Sequence, residues 1–137
     1  MKKEESLQVA ISKYLKLQYP NVVFTSESSG IRLTIGQAKK AKQQRSNHKL
    51  PDMIILEPNY LYEGICLELK KHSPYLKNGE LSKNKHVQEQ NKTLQLLSDK
   101  GYLAMFVWDF DYFKEMFDNY MLLKGKRGHY ELFKGMP

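Results

Sequence analysis

A chain of 137 residues, 41% hydrophobic and 27% charged, is long enough for one buried core and has neither a disordered nor a fibrous composition. Its net charge of +7 favours a polyanionic partner. One cysteine excludes an intrachain disulfide and a zinc-finger framework. No apolar run approaches the roughly eighteen residues of a membrane span, and the first residues lack a signal-peptide core, so a cytoplasmic location and no membrane partner are expected.

Residues 3–18 predict an amphipathic helix. Leu7, Ala10, Ile11, Tyr14, Leu15 and Leu17 recur at helical spacing, and Tyr19-Pro20-Asn21 stops it. Two acids open it, where the helix dipole favours negative charge whatever else they do. At about 100° per residue, Glu4 falls near the Leu7/Ile11/Leu15 face and Glu5 points nearly opposite. Val22 to Thr25 predicts a short strand running into the polar stretch Ser26 to Gly30. Backbone amides there suit an anion, and a solvated turn reads the same way. Glu27 is an additional acid in that stretch.

Residues 31–49 carry seven basic groups, counting His48, and no acid. Gly36 to Arg45 is helix-competent, and its thin apolar face places it on the surface. Arg32, Lys39, Lys40, Lys42, Arg45 and Lys49 are candidates for phosphate-backbone contact, although a solvated helix face accounts for any one of them alone. His48 is placed to touch substrate or to serve only as a turn residue, and the turn reading is favoured.

Met53 to Leu56 and Tyr60 to Lys71 predict the second and third strands, joined by a turn at Glu57-Pro58-Asn59. As an antiparallel pair they bring Asp52 to the Glu68 end. Side chains alternate along a strand, so Glu68 and Lys70 share a face with Cys66 and Gly64, while Ile65, Leu67 and Leu69 face the core. Glu63 falls on the face opposite Glu68 and reads as surface. A core strand seldom carries two charges unless they do something. Asp52 and Glu68 offer hard oxygen ligands suited to Mg²⁺. Such an ion lowers the pKa of a bound water and makes it a nucleophile. Lys70 can orient that water or offset charge on a phosphate. A same-face ion pair on a half-wet sheet explains Glu68 and Lys70 equally well. Cys66, alone in an apolar strand, reads as inert packing.

His72 to Lys85 is a basic loop with turn formers Pro74, Asn78 and Gly79. It suits a substrate-gripping flap in which Tyr75 stacks on a base, and also an ordinary exposed loop. His86 to Lys100 predicts a helix whose stripe Val87, Leu94 and Leu97 includes Gln90 and leaves out Gln88. A buried amide without a partner is costly, so Gln90 is expected to hydrogen-bond at the core edge. Gly101 ends this helix as its C′ residue. Leu103 to Trp108 predicts a strand buried on both faces. Asp109 or Asp111 caps a last helix, 112–123, with Phe113, Met116, Phe117 and Tyr120 inward. The expected organisation is one domain over 1–124 and a basic tail over 125–137.

Pro51-Asp52 followed by Glu68-Leu69-Lys70 resembles the PD-(D/E)XK nuclease signature. More narrowly, the chain resembles the VRR-NUC family of virus-type replication and repair nucleases over roughly residues 4–123. Four features stand in family order: a Glu-bearing first helix, a Pro-Asp, a Glu-x-Lys, and a helix whose inward Gln stands eleven residues before a Gly. The resemblance implies a restriction-endonuclease-like α/β core in the order αβββαβα, with a mixed central sheet flanked by helices. It implies Mg²⁺- or Mn²⁺-dependent hydrolysis of DNA, with branched or flapped DNA in phage or bacterial replication, repair or recombination as the substrate class. It also implies a homodimer, as in minimal family members. By residue, it makes Asp52 and Glu68 metal ligands and the Leu69 carbonyl a third. Lys70 assists the attacking water or the transition state, and Glu4 and Gln90 complete the site. The chain departs from the family where a Gly often precedes the Pro-Asp; here the residues are His48-Lys49-Leu50. Two other classes stay open at this point: a non-catalytic nucleic-acid-binding module on the same fold, and a basic protein-interaction domain.

Overall fold

The computed structural model describes residues 3–26 and 33–123, the side chains of residues 4 and 5 excepted. The elements are α1 (Lys3–Gln18), β1 (Phe24–Ser26), α2 (Ile35–Gln43), β2 (Met53–Ile55), β3 (Ile65–Leu69), α3 (Lys85–Asp99), β4 (Leu103–Val107) and α4 (Phe110–Leu122). The strands form one sheet in the order β1-β2-β3-β4. β1 and β3 both pair antiparallel with β2, and β3 and β4 are parallel. A parallel pair needs a long crossover, and α3 supplies it. The result is the expected mixed α/β sheet flanked by helices.

Alternation along β3 sorts the layers. Ile65, Leu67 and Leu69 join Leu7, Ile11 and Leu15 of α1 and Phe113, Phe117 and Tyr120 of α4 in the main core. Cys66 and Glu68 point the other way, toward the face that α3 covers, and all five residues of β3 are buried. The α1–α4 joint is polar as well as apolar. The Tyr14 and Tyr19 hydroxyls both donate to Asp118 Oδ1, the second at 2.7 Å, and Lys114 Nζ donates to Oδ2 at 3.0 Å. Burial raises the Asp118 pKa, but these three donors outweigh it and hold the carboxyl below its ordinary value. The same contacts, with burial first, push the Tyr19 hydroxyl well up.

Several boundaries differ from the sequence expectation, each for a local reason. The third strand starts at Ile65 and not at Tyr60. Asn59, only 2% exposed, takes the backbone elsewhere: its Oδ1 accepts from the N–H groups of Leu61 and Tyr62 at 2.9 and 2.8 Å. Its Nδ2 donates to the Tyr120 carbonyl at 3.2 Å, pinning the connection to α4. A side chain that bonds the next backbone amides competes with the strand ladder. Gly64 then brings the chain back against β2, where an added Cβ would lie 2.8 Å from the Ile55 carbonyl oxygen. β3, not β4, is the strand buried on both faces. β4 is the sheet edge, with Phe106 and Val107 buried, Leu103 to Met105 half-buried and Trp108 37% exposed beyond its end. Leu17 is 78% exposed and belongs to no core stripe. α4 starts at Phe110 because Asp109, not Asp111, caps it, accepting from Tyr112 N–H at 2.9 Å.

The stretch 71–84 is an ordered, hairpin-like flap. Tyr75 bridges Leu81, Leu76 N–H donates to Glu80 O at 2.7 Å, and Gly79 takes φ 87° at the turn. Gln88 ties the flap to α3 by donating to Ser82 O at 2.6 Å, and Asn84 caps α3. Gly101, at φ 101°, closes α3 as expected. α2 is held by its own capping box between Thr34 and Gln37, is exposed throughout, and packs against no other described helix or strand. Among the described residues, no helix is long and apolar enough to cross a membrane.

Candidate metal and nucleic-acid site

The β2–β3 ladder ends where the acids begin. Met53 pairs with Leu67, and one residue outward the Asp52 carboxylate accepts the Leu69 N–H at 2.8 Å. That bond fixes Asp52 against Glu68, the neighbour of Leu69 on the α3-facing side of the sheet. Glu68 is only 7% exposed. Burial, then a hydrogen bond with the Asp52 carboxyl and the charge of Asp52, push its pKa up to about 8, against opposing pulls from Lys70 and Lys49. A buried Glu68 carboxylate beside Asp52 is costly to ionise without a cation nearby.

The surroundings supply the rest of the site. The Lys70 ammonium lies 5.9 Å from the centre of the Phe106 ring and within electrostatic reach of Glu68. A cavity of about 400 Å³ opens over Glu68, between the 45–49 stretch and α3. Gln90 lines it, and its Oε1 is buried with no hydrogen-bond partner among the described residues. The Gln90 oxygen thus makes no hydrogen bond among the described residues, and Gln90 and Glu68 line the same cavity. Cys66 is buried, and burial pushes its thiol up to about 11, which keeps it inert.

Of the basic candidates, Arg45 and Lys49 line this cavity, whereas Lys39, Lys40 and Lys42 lie on exposed α2. His48 lines the cavity too, from a turn in which its N–H donates to Ser46 Oγ at 3.3 Å. His86, Glu89 and Thr93 of α3 also face it, and none of them was read from the sequence. His86 and Thr93 stand four and three residues from Gln90, so extending the Gln90 stripe would have found them; Glu89 stands three from His86 and four from Thr93. Glu4 lies in the first turn of α1, and its side chain is outside the described residues. Arg32, Glu27 and the basic tail also lie outside them.

The donor set fits a hard divalent cation. Asp52 and Glu68 offer adjacent carboxylate oxygens, and the Gln90 oxygen, buried and without a partner among the described residues, lines the same cavity as Glu68. Among the described residues no group of three or more His, Cys, Asp or Glu is placed to hold a metal ion together.

A solved structure described as a "VRR_NUC domain protein" is similar to this chain with a TM-score of 0.61, over 90% of this chain and 92% of that one. Sequence identity is 19%, so the likeness establishes the fold. No protein-family model matches the chain, and no curated protein matches it.

Proposed function

We propose that this chain is a divalent-metal-dependent nuclease that hydrolyses phosphodiester bonds in DNA. The observation that carries this reading is the carboxyl pair of half-buried Asp52 and buried Glu68, with Asp52 held by the Leu69 N–H and Lys70 and Lys49 nearby, on a fold shared with a VRR_NUC domain protein. Asp52 and Glu68 would hold Mg²⁺ or Mn²⁺, with the Leu69 carbonyl as a third ligand and Glu4 as the first-helix acid. A bound divalent ion supplies an acidified water and a counter-charge for phosphate. The chain's own groups do the positioning. The Leu69 N–H fixes one Asp52 oxygen, and the Asp52 carboxyl hydrogen-bonds with Glu68. Lys70 offsets charge that develops on phosphate oxygens, and Gln90 orients a water that donates to its amide oxygen, or a phosphate that accepts from its amide N–H. Arg45 and Lys49 line the cavity as phosphate-backbone contacts. Branched or flapped DNA, worked on by a homodimer in replication or repair, is the substrate class this reading favours.

The test is direct binding of Mn²⁺, read by calorimetry, alongside Mg²⁺-dependent cleavage of labelled DNA. Both are expected to disappear in Asp52→Asn. An Asp52→Asn protein that still cuts would sink the assignment, and Mn²⁺ binding without any cleavage would move the chain to a binding module.

A further inference from the structure

Three aromatic rings at the end of β3 and β4 belong neither to the main core nor to the carboxylate pair. Tyr75 leaves the flap and rests edge-on against Phe106, with ring centres 6.4 Å apart. It also meets Trp108 at 5.9 Å with a 58° tilt. Tyr75 is 44% exposed, and Trp108 is more than a third exposed. Beside Trp108 a cavity of about 480 Å³ opens, walled on the far side by the exposed Tyr112 ring. Lys3, Lys71 and His72 line it. Its one acid, Asp109, is committed to capping α4. Wet aromatic faces beside cations suit a planar ring joined to a phosphate. The cluster is also in contact with the catalytic end, because Phe106, the ring under Tyr75, is the ring that Lys70 Nζ overlies. Lys70 and Lys71 follow the end of β3 in succession: Lys70 lies over Phe106 and Lys71 lines this cavity.

We propose that Tyr75 and Trp108, with Lys71 and His72 at the rim, form a stacking subsite for one unpaired nucleobase next to the phosphate bound at Lys70. A base in a duplex keeps both faces stacked on its neighbours and has none to offer. An unpaired base has a free face, and stacking accepts any base because each has a π-face. The placement beside Lys70 rests on the nuclease reading; the subsite itself does not.

Trp108 is the only tryptophan in the chain, so its fluorescence reports the subsite without any variant. The full chain in EDTA is titrated with a fluorescein-free oligothymidylate, a blunt duplex, and an oligomer of the same length carrying abasic sites throughout. Binding is followed in parallel by competition against a labelled oligothymidylate. Saturable quenching by oligothymidylate alone is expected. Tyr75→Ala and Trp108→Ala should each weaken single-strand binding by about five- to a hundredfold, the span of one base–aromatic stack, while Trp108→Phe keeps most of it. Equal quenching by the abasic oligomer or the duplex overturns the proposal, as does binding with no quenching. No binding of any oligomer overturns it as well. Quenching with no cleavage under any metal leaves the subsite standing and removes the nuclease reading; cleavage without quenching does the reverse.

Discussion

Replacing Glu68 by Gln should stabilise the metal-free protein at alkaline pH while abolishing its chemistry. The Glu68 carboxyl has an ordinary value of 4.5 and is raised to about 8, first by burial and then by Asp52. The folded state therefore binds the proton more tightly than the unfolded state. Stability from this group is fully present below about pH 4.5 and is lost as pH rises through about 8. At about 1.4 kcal/mol per unit, the ceiling on that loss is roughly 5 kcal/mol. Water entering the cavity lowers it, and a gain of about 2 kcal/mol for Glu68→Gln at pH 9 is the working figure. For a chain of this length that is about 7 °C in Tm. The assay is a thermal melt of both proteins in EDTA at pH 5 and pH 9. The gap should be small at pH 5, where folded Glu68 still holds its proton and the pH stands only just above the unfolded value of 4.5, and the Gln variant should melt distinctly higher at pH 9. Added Mg²⁺ should restore the wild type at pH 9 and leave the variant unmoved. A difference in Tm that is the same at both pH values would refute the coupled-carboxylate picture.

Asp118→Ala removes the acceptor of Tyr14, Tyr19 and Lys114 and should cost about 2–3 kcal/mol by denaturant melt at pH 7. Because Asp118 is held below its ordinary value, its contribution is present above that value and lost as pH falls through the lowered one, so the gap to wild type should close below about pH 4. Asn59→Ala leaves the Leu61 and Tyr62 amides without their acceptor and should cost about 2–4 kcal/mol; a loss under 0.5 kcal/mol would contradict the pinning role. Lys70→Ala should keep DNA binding within about threefold in a filter assay and lose cleavage by about a hundredfold or more. Equal loss of both would make Lys70 a binding residue only.

The period of the apolar residues carried much of the fold. Leu7, Ile11 and Leu15 defined α1, and Ile65, Leu67 and Leu69 defined the core side of β3, because repeated spacing reports a buried face directly. Leu17 was misread because a single apolar residue at the right spacing weighs as much in the pattern as a buried one. The early start expected for β3 failed at Asn59, whose turn chemistry depends on a Tyr120 carbonyl 61 residues away. No local pattern encodes that partner. Asp52 and Glu68 were legible as a site because acids break an apolar run. His86, Glu89 and Thr93 were less so, since polar residues on a half-exposed helix look like solvated surface until a cavity is seen beside them. The rings of Tyr75 and Trp108 met only through the folding of the flap onto β4, a contact that neither segment announces.

The central claim is tested most directly by one cleavage panel. Labelled single strand, duplex, nicked circle, 5′ and 3′ flaps and a four-way junction are incubated with wild type, Asp52→Asn and Glu68→Gln, in EDTA, Mg²⁺ or Mn²⁺. Cutting by wild type that needs the metal and both carboxylates, with binding retained in the variants, is the predicted result. Cutting that survives EDTA or both substitutions, or firm binding with no cutting of any substrate, would contradict it.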